Sequence, residues 1–196
     1  MDCLKRAAVL AMAVMILVGC ASSLAPVPPT AAPTEAAVTA LVTPVQVNRT
    51  NNSVTSLGEN QTVVVRLDDR IVVPESGHAM LQVTGGVAAD VFRGSELTLA
   101  DAQSQPGNAL FAQLELENGH TRVALQKTSL ARVRLETGFG SITTLEPGTE
   151  FVVCHDPALL TCLVVIQGEV EALAQGKVVR VKAGEGTYIL KGKAPF

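Results

Sequence analysis

The sequence predicts an all-β fold, and three observations carry that expectation. From Gln61 onward, apolar runs of four to eight residues are broken by Gly, Asn or Pro, and no ten-residue stretch keeps a helical period. Two turn dipeptides, Asn118-Gly119 and Gln175-Gly176, separate runs whose apolar and charged positions match when the chain folds back at the turn. Two cysteines, Cys154 and Cys162, flank a short loop between two further runs. The expected architecture is a stack of short twisted strands and hairpins, sandwich-like or solenoid-like.

The N-terminus reads as an address. Lys5 and Arg6 precede an unbroken apolar run of twelve, residues 7–18. A bilayer-spanning helix needs roughly 20 apolar residues, so this run suits a secretory signal better than a permanent anchor. It ends in Leu17-Val18-Gly19-Cys20, which resembles the lipobox of bacterial lipoproteins. That resemblance implies removal of residues 1–19, a diacylglyceryl thioether on Cys20, and attachment of the mature chain to the outer side of a bacterial membrane. An ordinary signal peptide cut nearby is the plainer alternative. One acyl chain holds marginally to a membrane, whereas the two or three of a mature lipoprotein hold firmly. Cys3 leaves with the signal.

Residues 20–55 differ in composition, with Pro26, Pro28, Pro29, Pro33 and Pro44 among Ala, Thr, Ser and Val. Proline has no backbone donor and favours polyproline II, so this block is expected to be a disordered, semi-stiff tether. Residues 34–42 also admit a helical reading. The sequons at Asn48, Asn51 and Asn60 would matter only in a eukaryotic secretory route, which the lipobox argues against. The folded domain is then expected over residues 56–196.

Without residues 1–19 the chain keeps 13 basic and 17 acidic residues and is mildly acidic. No basic stripe is present, so nucleic-acid binding has no electrostatic footprint. No Trp and one Tyr, Tyr188, argue against a carbohydrate platform of stacked rings. Cys154 and Cys162, a close pair in an exported protein, read as one disulfide.

The expected strands are TVVVRL, DRIVV, AMLQV, LFAQLEL, TRVAL, RVRLE, SITTL, EFVVC, CLVVIQ, EVEAL, KVVRVKA and GTYIL. A hairpin at Asn118-Gly119 would set Leu114 opposite Val123 and Leu116 opposite Thr121, with Glu115 meeting Arg122 on the other face. A hairpin at Gln175-Gly176 pairs Val170 with Val181 and Ala172 with Val179, and sets Glu169 against Lys182 and Glu171 against Arg180. A slip of one residue would destroy both sets of matches, so the register is strongly specified. In a third hairpin, antiparallel pairing about residues 155–161 makes Cys154 and Cys162 direct neighbours, within disulfide reach. Residues 163–166 are apolar throughout, so this strand is expected to be covered on both faces.

Residues 132–189 resemble the FecR domain of bacterial envelope proteins. The stretch 147–153, Pro-Gly-Thr-Glu-Phe-Val-Val, is similar to the family's Gly-Thr-x-Phe-x-Val. Residues 164–170 match an apolar strand followed by Gly-x-Val, and residues 181–185 match a closing apolar-x-x-Gly-Glu. Upstream, residues 66–71 and 77–81 resemble its Gly-Asp-x-Ile motif and first ladder, with Asp68 in place of the glycine. The resemblance covers about 120 residues. It implies stacked, twisted short strands and a sensing or protein-interaction role outside the cytoplasm. The regulator that names the family crosses the membrane and signals to a sigma factor. This chain lacks the matching cytoplasmic part, so iron-transport signalling is not carried over.

Enzyme readings find little. His78 and His120 follow glycines at expected turns, and His155 sits in the disulfide loop beside Asp156. Cys154, His155, Asp156 and Cys162 offer zinc-type ligands, but their spacing fits no familiar zinc pattern and export favours oxidation. Gly94-Ser95 and Gly140-Ser141 lack the second glycine of a nucleophile elbow. Glu115 and Glu117 alternate onto one face of a hairpin, where solvated carboxylates are expected. Gly85-Gly86 and Gly184-Glu185-Gly186 have no helix after them and are turns rather than phosphate loops.

The expectation is therefore a lipid-anchored, extracytoplasmic, non-enzymatic module of the bacterial envelope, needing no cofactor. It would sense, dock or scaffold by binding an envelope protein through a sheet edge or loop face. A cell-wall or glycan-binding module using residues 100–108 is the second reading.

Overall fold

The computed structural model of the chain describes residues 35–105 and 109–196. The expected signal, the expected lipidation site at Cys20, the first part of the expected tether and residues 106–108 lie outside the described residues.

Every regular element among them is a strand. In order these are β1 Ala36–Val42, β2 Val45–Asn48, β3 Val54–Leu57, β4 Thr62–Val65, β5 Arg70–Val73, β6 His78–Val83, β7 Val87–Val91 and β8 Ser95–Gln105. There follow β9 Ala109–Leu125, β10 Arg132–Thr137, β11 Gly140–Thr144, β12 Glu150–Asp156, β13 Leu160–Gln167, β14 Glu169–Ala174, β15 Lys177–Lys182 and β16 Gly186–Leu190. The all-β expectation holds.

Strand pairing builds two layers. A front sheet runs β4-β1-β6-β7-β9-β12-β13-β16, and a back sheet runs β3-β2-β5-β8-β9-β10-β11-β14-β15. Alternate residues turn inward from both. Val38, Leu81, Val123, Phe151 and Val165 from the front meet Val47, Ile71, Leu114, Leu135 and Val170 from the back in one buried apolar cluster. The β9–β10 pairing is parallel and the others are antiparallel.

The structure corrects several expectations. The tether does not extend to residue 55, because β1, β2 and the first half of β3 lie within it and the fold begins by Ala36. The helical reading of residues 34–42 fails over Ala36–Val42, where β1 alternates buried Ala36, Val38 and Ala40 with half-buried residues, a period of two. Pro44 occupies the β1–β2 connection, where its missing donor costs no ladder bond.

The second correction concerns Asn118-Gly119. No hairpin forms there, because β9 runs straight through and belongs to both sheets. Its first part pairs with β8 and β10, and its last part with β7 and β12. The buried positions change parity at the crossing, from Leu110, Ala112, Leu114 and Leu116 to Thr121, Val123 and Leu125. That reversal is what folding back at a turn would also produce, which is why both readings fit the sequence. Gly119 makes the corner at φ +93°. The β7–β8 turn clasps it: Ser95 Oγ accepts from His120 N at 2.8 Å, and Asn118 Nδ2 donates to Gly94 O at 3.2 Å.

The third correction is to β13. It is hydrogen-bonded on both edges, but only its inner face is covered: Leu163 and Val165 are buried while Val164 and Ile166 are each 50% exposed. Residues 100–105, read as part of a glycan-binding loop, belong to β8. The Gln175-Gly176 hairpin has the expected register at every pair, with both turn residues at positive φ. Asp68, where the FecR motif has glycine, also takes a positive φ of 63°.

Candidate docking face

The outer faces of the two sheets differ in chemistry. The back sheet is laced with ion pairs: Arg70 to Glu96 and Glu117, Arg134 to Glu136, and Arg180 to Glu171. Such pairs contribute little individually, and among them Leu173, Val178 and Val54 are the exposed apolar residues of this face. The front sheet instead carries a row of rings and sulfur. Following the register across β6, β7, β9, β12, β13 and β16, the row is His78, Phe92, His120, Cys154, Cys162 and Tyr188. His78 stacks on Phe92 with centroids 5.2 Å apart, and Tyr188 stacks on Phe196 at 4.8 Å.

Cys154 and Cys162 are cross-strand partners joined in a disulfide, with Cα atoms 5.1 Å apart. Beside them on the outer face lie Val152, Val164 and Ile166, and at the far end Tyr188 and Phe196 are 46% and 62% exposed. These exposed side chains lie close together on the outer face rather than singly. The neighbouring charges are used among themselves: Arg122 bridges Asp90 at 3.6 Å and Glu150 at 2.8 Å.

Two adjoining hollows open at the β7–β9–β12 end. One of about 470 Å³ is lined by His78, Phe92, Arg93, His120 and Val152; the other, about 340 Å³, by Arg93, His120, His155 and Asp156 among others. All three histidines of the chain therefore gather here. They do not all face the same way. His155 points inward from β12, is buried, and shares a 2.9 Å hydrogen bond between Nδ1 and Thr161 Oγ1. Thr161 Oγ1 also pairs with Thr137 Oγ1 at 3.0 Å, and the Phe139 ring meets the imidazole edge-on at 5.0 Å. A threonine so enclosed cannot reach a substrate, and the pair ties the β10–β11 turn to the front sheet. Burial holds the His155 pKa below its usual 6.5, against a smaller opposing pull from Asp156.

The zinc-type set does not converge, because strand alternation turns Cys154 outward and His155 inward. Among the described residues no three His, Cys, Asp or Glu side chains gather to hold a metal ion. Of the residues singled out from sequence, Cys154 and Cys162 are brought together, whereas Cys20 lies outside the described residues. Phe92, Val164, Ile166 and Phe196 were not legible as surface residues. Only the alternation of Val164 and Ile166 with Leu163 and Val165 carried a signal, and it was masked by all four being apolar.

No family's sequence pattern matches the chain, and no curated protein matches it either. Solved structures do. Two crystal structures of a "putative anti-sigma factor" from Parabacteroides distasonis ATCC 8503, at 1.65 and 2.50 Å, superpose with TM-scores of 0.52 and 0.53. The likeness is one of fold. Identities are 15% and 16%, and each match covers 65% of this chain and 57% of the neighbour's length.

Proposed function

We propose that the chain is a FecR-like docking or sensing module of a bacterial envelope, non-enzymatic and lipid-anchored at Cys20, that binds an envelope protein. The observation that carries this reading is the chemical asymmetry of the sandwich: an apolar, ring-bearing front face at the β12–β13–β16 end against an ion-paired back face. The name given to the Parabacteroides neighbours, anti-sigma factor, supports a regulatory reading. With β1 starting at Ala36, at most residues 20–35 would remain as a tether, and at ~3.1 Å per residue these would reach about 50 Å if extended.

The test is cross-linking in intact cells. The full chain is expressed with its own signal in a bacterial host beside Cys20→Ala and Val164→Glu/Ile166→Glu variants. A defined envelope protein captured by the native chain and lost from the double variant is the expected result, with Cys20→Ala leaving the membrane fraction. Equal capture by the double variant, or recovery of peptidoglycan alone, overturns the reading.

A further inference from the structure

The sandwich has four edge strands, and they are not treated alike. At the β4 edge, Arg49 Nη1 donates to the Val64 carbonyl at 2.8 Å. At the β16 edge, residues 194–196 fold back: Phe196 N donates to Tyr188 O at 3.3 Å, and Thr187 Oγ1 donates to Phe196 O. Both edges of the front sheet are thus occupied, as expected for strands protected from chance pairing. The back sheet ends in β3, four uncharged residues long, and in β15.

The β15 edge is open, and its geometry follows from its turn. In a two-residue hairpin the residues flanking the turn, here Ala174 and Lys177, exchange both backbone hydrogen bonds, and bonded pairs then alternate. Val178, Arg180 and Lys182 therefore direct their N–H and C=O groups away from β14. Lys182 is already engaged, its N–H by Glu185 Oε2 and its carbonyl by Glu185 N, each at 2.9 Å. The N–H and C=O groups of Val178 and Arg180 have no partner among the described residues.

The charge there is also distinct. Five of the chain's fifteen Lys and Arg but only one of its eighteen Asp and Glu fall in residues 177–196. β15 itself carries Lys177, Arg180 and Lys182 and no acid. Its occupied side shows what such a strand accepts: Glu169 lies opposite Lys182, Glu171 opposite Arg180, and half-exposed Leu173 opposite Val178.

Resting on the docking reading above, we propose that the free edge of β15 receives an extended acidic strand of a partner protein. Its hydrogen bonds go to Val178 and Arg180, and it presents two carboxylates and an apolar residue at two-residue steps, as β14 does. Backbone pairing supplies the attachment, and the side-chain pattern selects the partner. A second copy offers a poorer match: its β3 has no carboxylate, and its β15 would set Lys177, Arg180 and Lys182 against like charges.

The probe is a fluorescent peptide with the sequence of residues 169–174, titrated by anisotropy against the full chain carrying Cys20→Ala, beside a peptide with lysines in place of its two glutamates. Val178→Pro removes an outward donor and leaves the β14 ladder intact, so its melting temperature should match that of the parent. It should weaken the acidic peptide at least about tenfold, and Arg180→Glu/Lys182→Glu should reverse the preference between the two peptides. Absence of binding, equal binding by Val178→Pro, or indifference to charge would sink the proposal. So would concentration-dependent self-association that Val178→Pro abolishes, which would make a second copy the occupant. In the cellular experiment, a partner lost from Val164→Glu/Ile166→Glu but retained by Val178→Pro leaves the docking reading standing and removes the edge. If neither variant alters capture, the docking reading falls as well.

Discussion

Arg49 Nη1 donates to Asp69 Oδ2 at 2.5 Å, joining the β2–β3 turn to the β4–β5 turn across twenty residues of sequence. Asp69 is buried, and the same oxygen accepts from Arg66 N at 2.8 Å. Removing the carboxylate strands a guanidinium that is only 18% exposed and frees a backbone donor. Breaking a buried pair from one side typically costs 3–5 kcal/mol. For Asp69→Ala, with Arg49 partly open to water, a loss of about 2–4 kcal/mol is expected. Urea unfolding against the parent chain measures it, and a loss under about 1 kcal/mol would reduce the contact to an ordinary surface pair.

Gly119 holds the corner at which β9 changes sheets. A Cβ there would lie 2.6 Å from both the Gly94 carbonyl and Ser95 Cα, in a backbone conformation that side chains rarely adopt. Gly119→Ala should therefore destabilise the fold by roughly 2–3 kcal/mol, more than the ~1 kcal/mol of a left-handed turn position alone. Gly176, whose added Cβ meets nothing within 4 Å, provides the contrast, and Gly176→Ala should show the conformational part only. Equal losses in the two variants would show that the clasp contributes nothing.

The Cys154–Cys162 bridge closes a loop of eight residues' separation. In the chain-entropy account such a loop contributes about 2.6 kcal/mol. Cys154→Ala/Cys162→Ala, or reduction of the native chain, should lower stability by roughly 2–3 kcal/mol without unfolding the domain. The core on this strand pair rests on Phe151, Val153, Leu163 and Val165, none of which contacts solvent appreciably. The check is chemical denaturation with and without reductant, with retained β-type circular dichroism at zero denaturant.

The β14–β15 hairpin is legible because two independent patterns, apolar and charged, select one register. At Asn118-Gly119 the same kind of agreement points to a turn that does not exist. A strand that changes sheets reverses its inward parity just as a hairpin does, and local pattern cannot separate the two. β1 and β2 are hidden for a different reason. Their residues are largely small or β-branched and lie among prolines, so composition resembles a linker while the deciding contacts, such as Arg49 with Asp69, are distant in sequence. The docking face is obscured by the strand that builds it. Val164 and Ile166 are apolar although exposed, so residues 163–166 look like a strand covered on both sides.

His155 should give the fold a pH dependence of predictable sign. Burial lowers its pKa in the folded chain, so between that value and 6.5 the unfolded chain binds more protons. Stability from this group is complete above about pH 6.5, declines as pH falls through the window below it, and levels off beneath the folded pKa. His155→Gln keeps a polar side chain near Thr161 but cannot charge. Its melting temperature should thus fall less than that of the parent between pH 7 and pH 5. Parallel thermal scans over that range decide the matter: identical slopes would show that imidazolium is tolerated at this position, and that the contact with Thr161 and Phe139 does not exclude it.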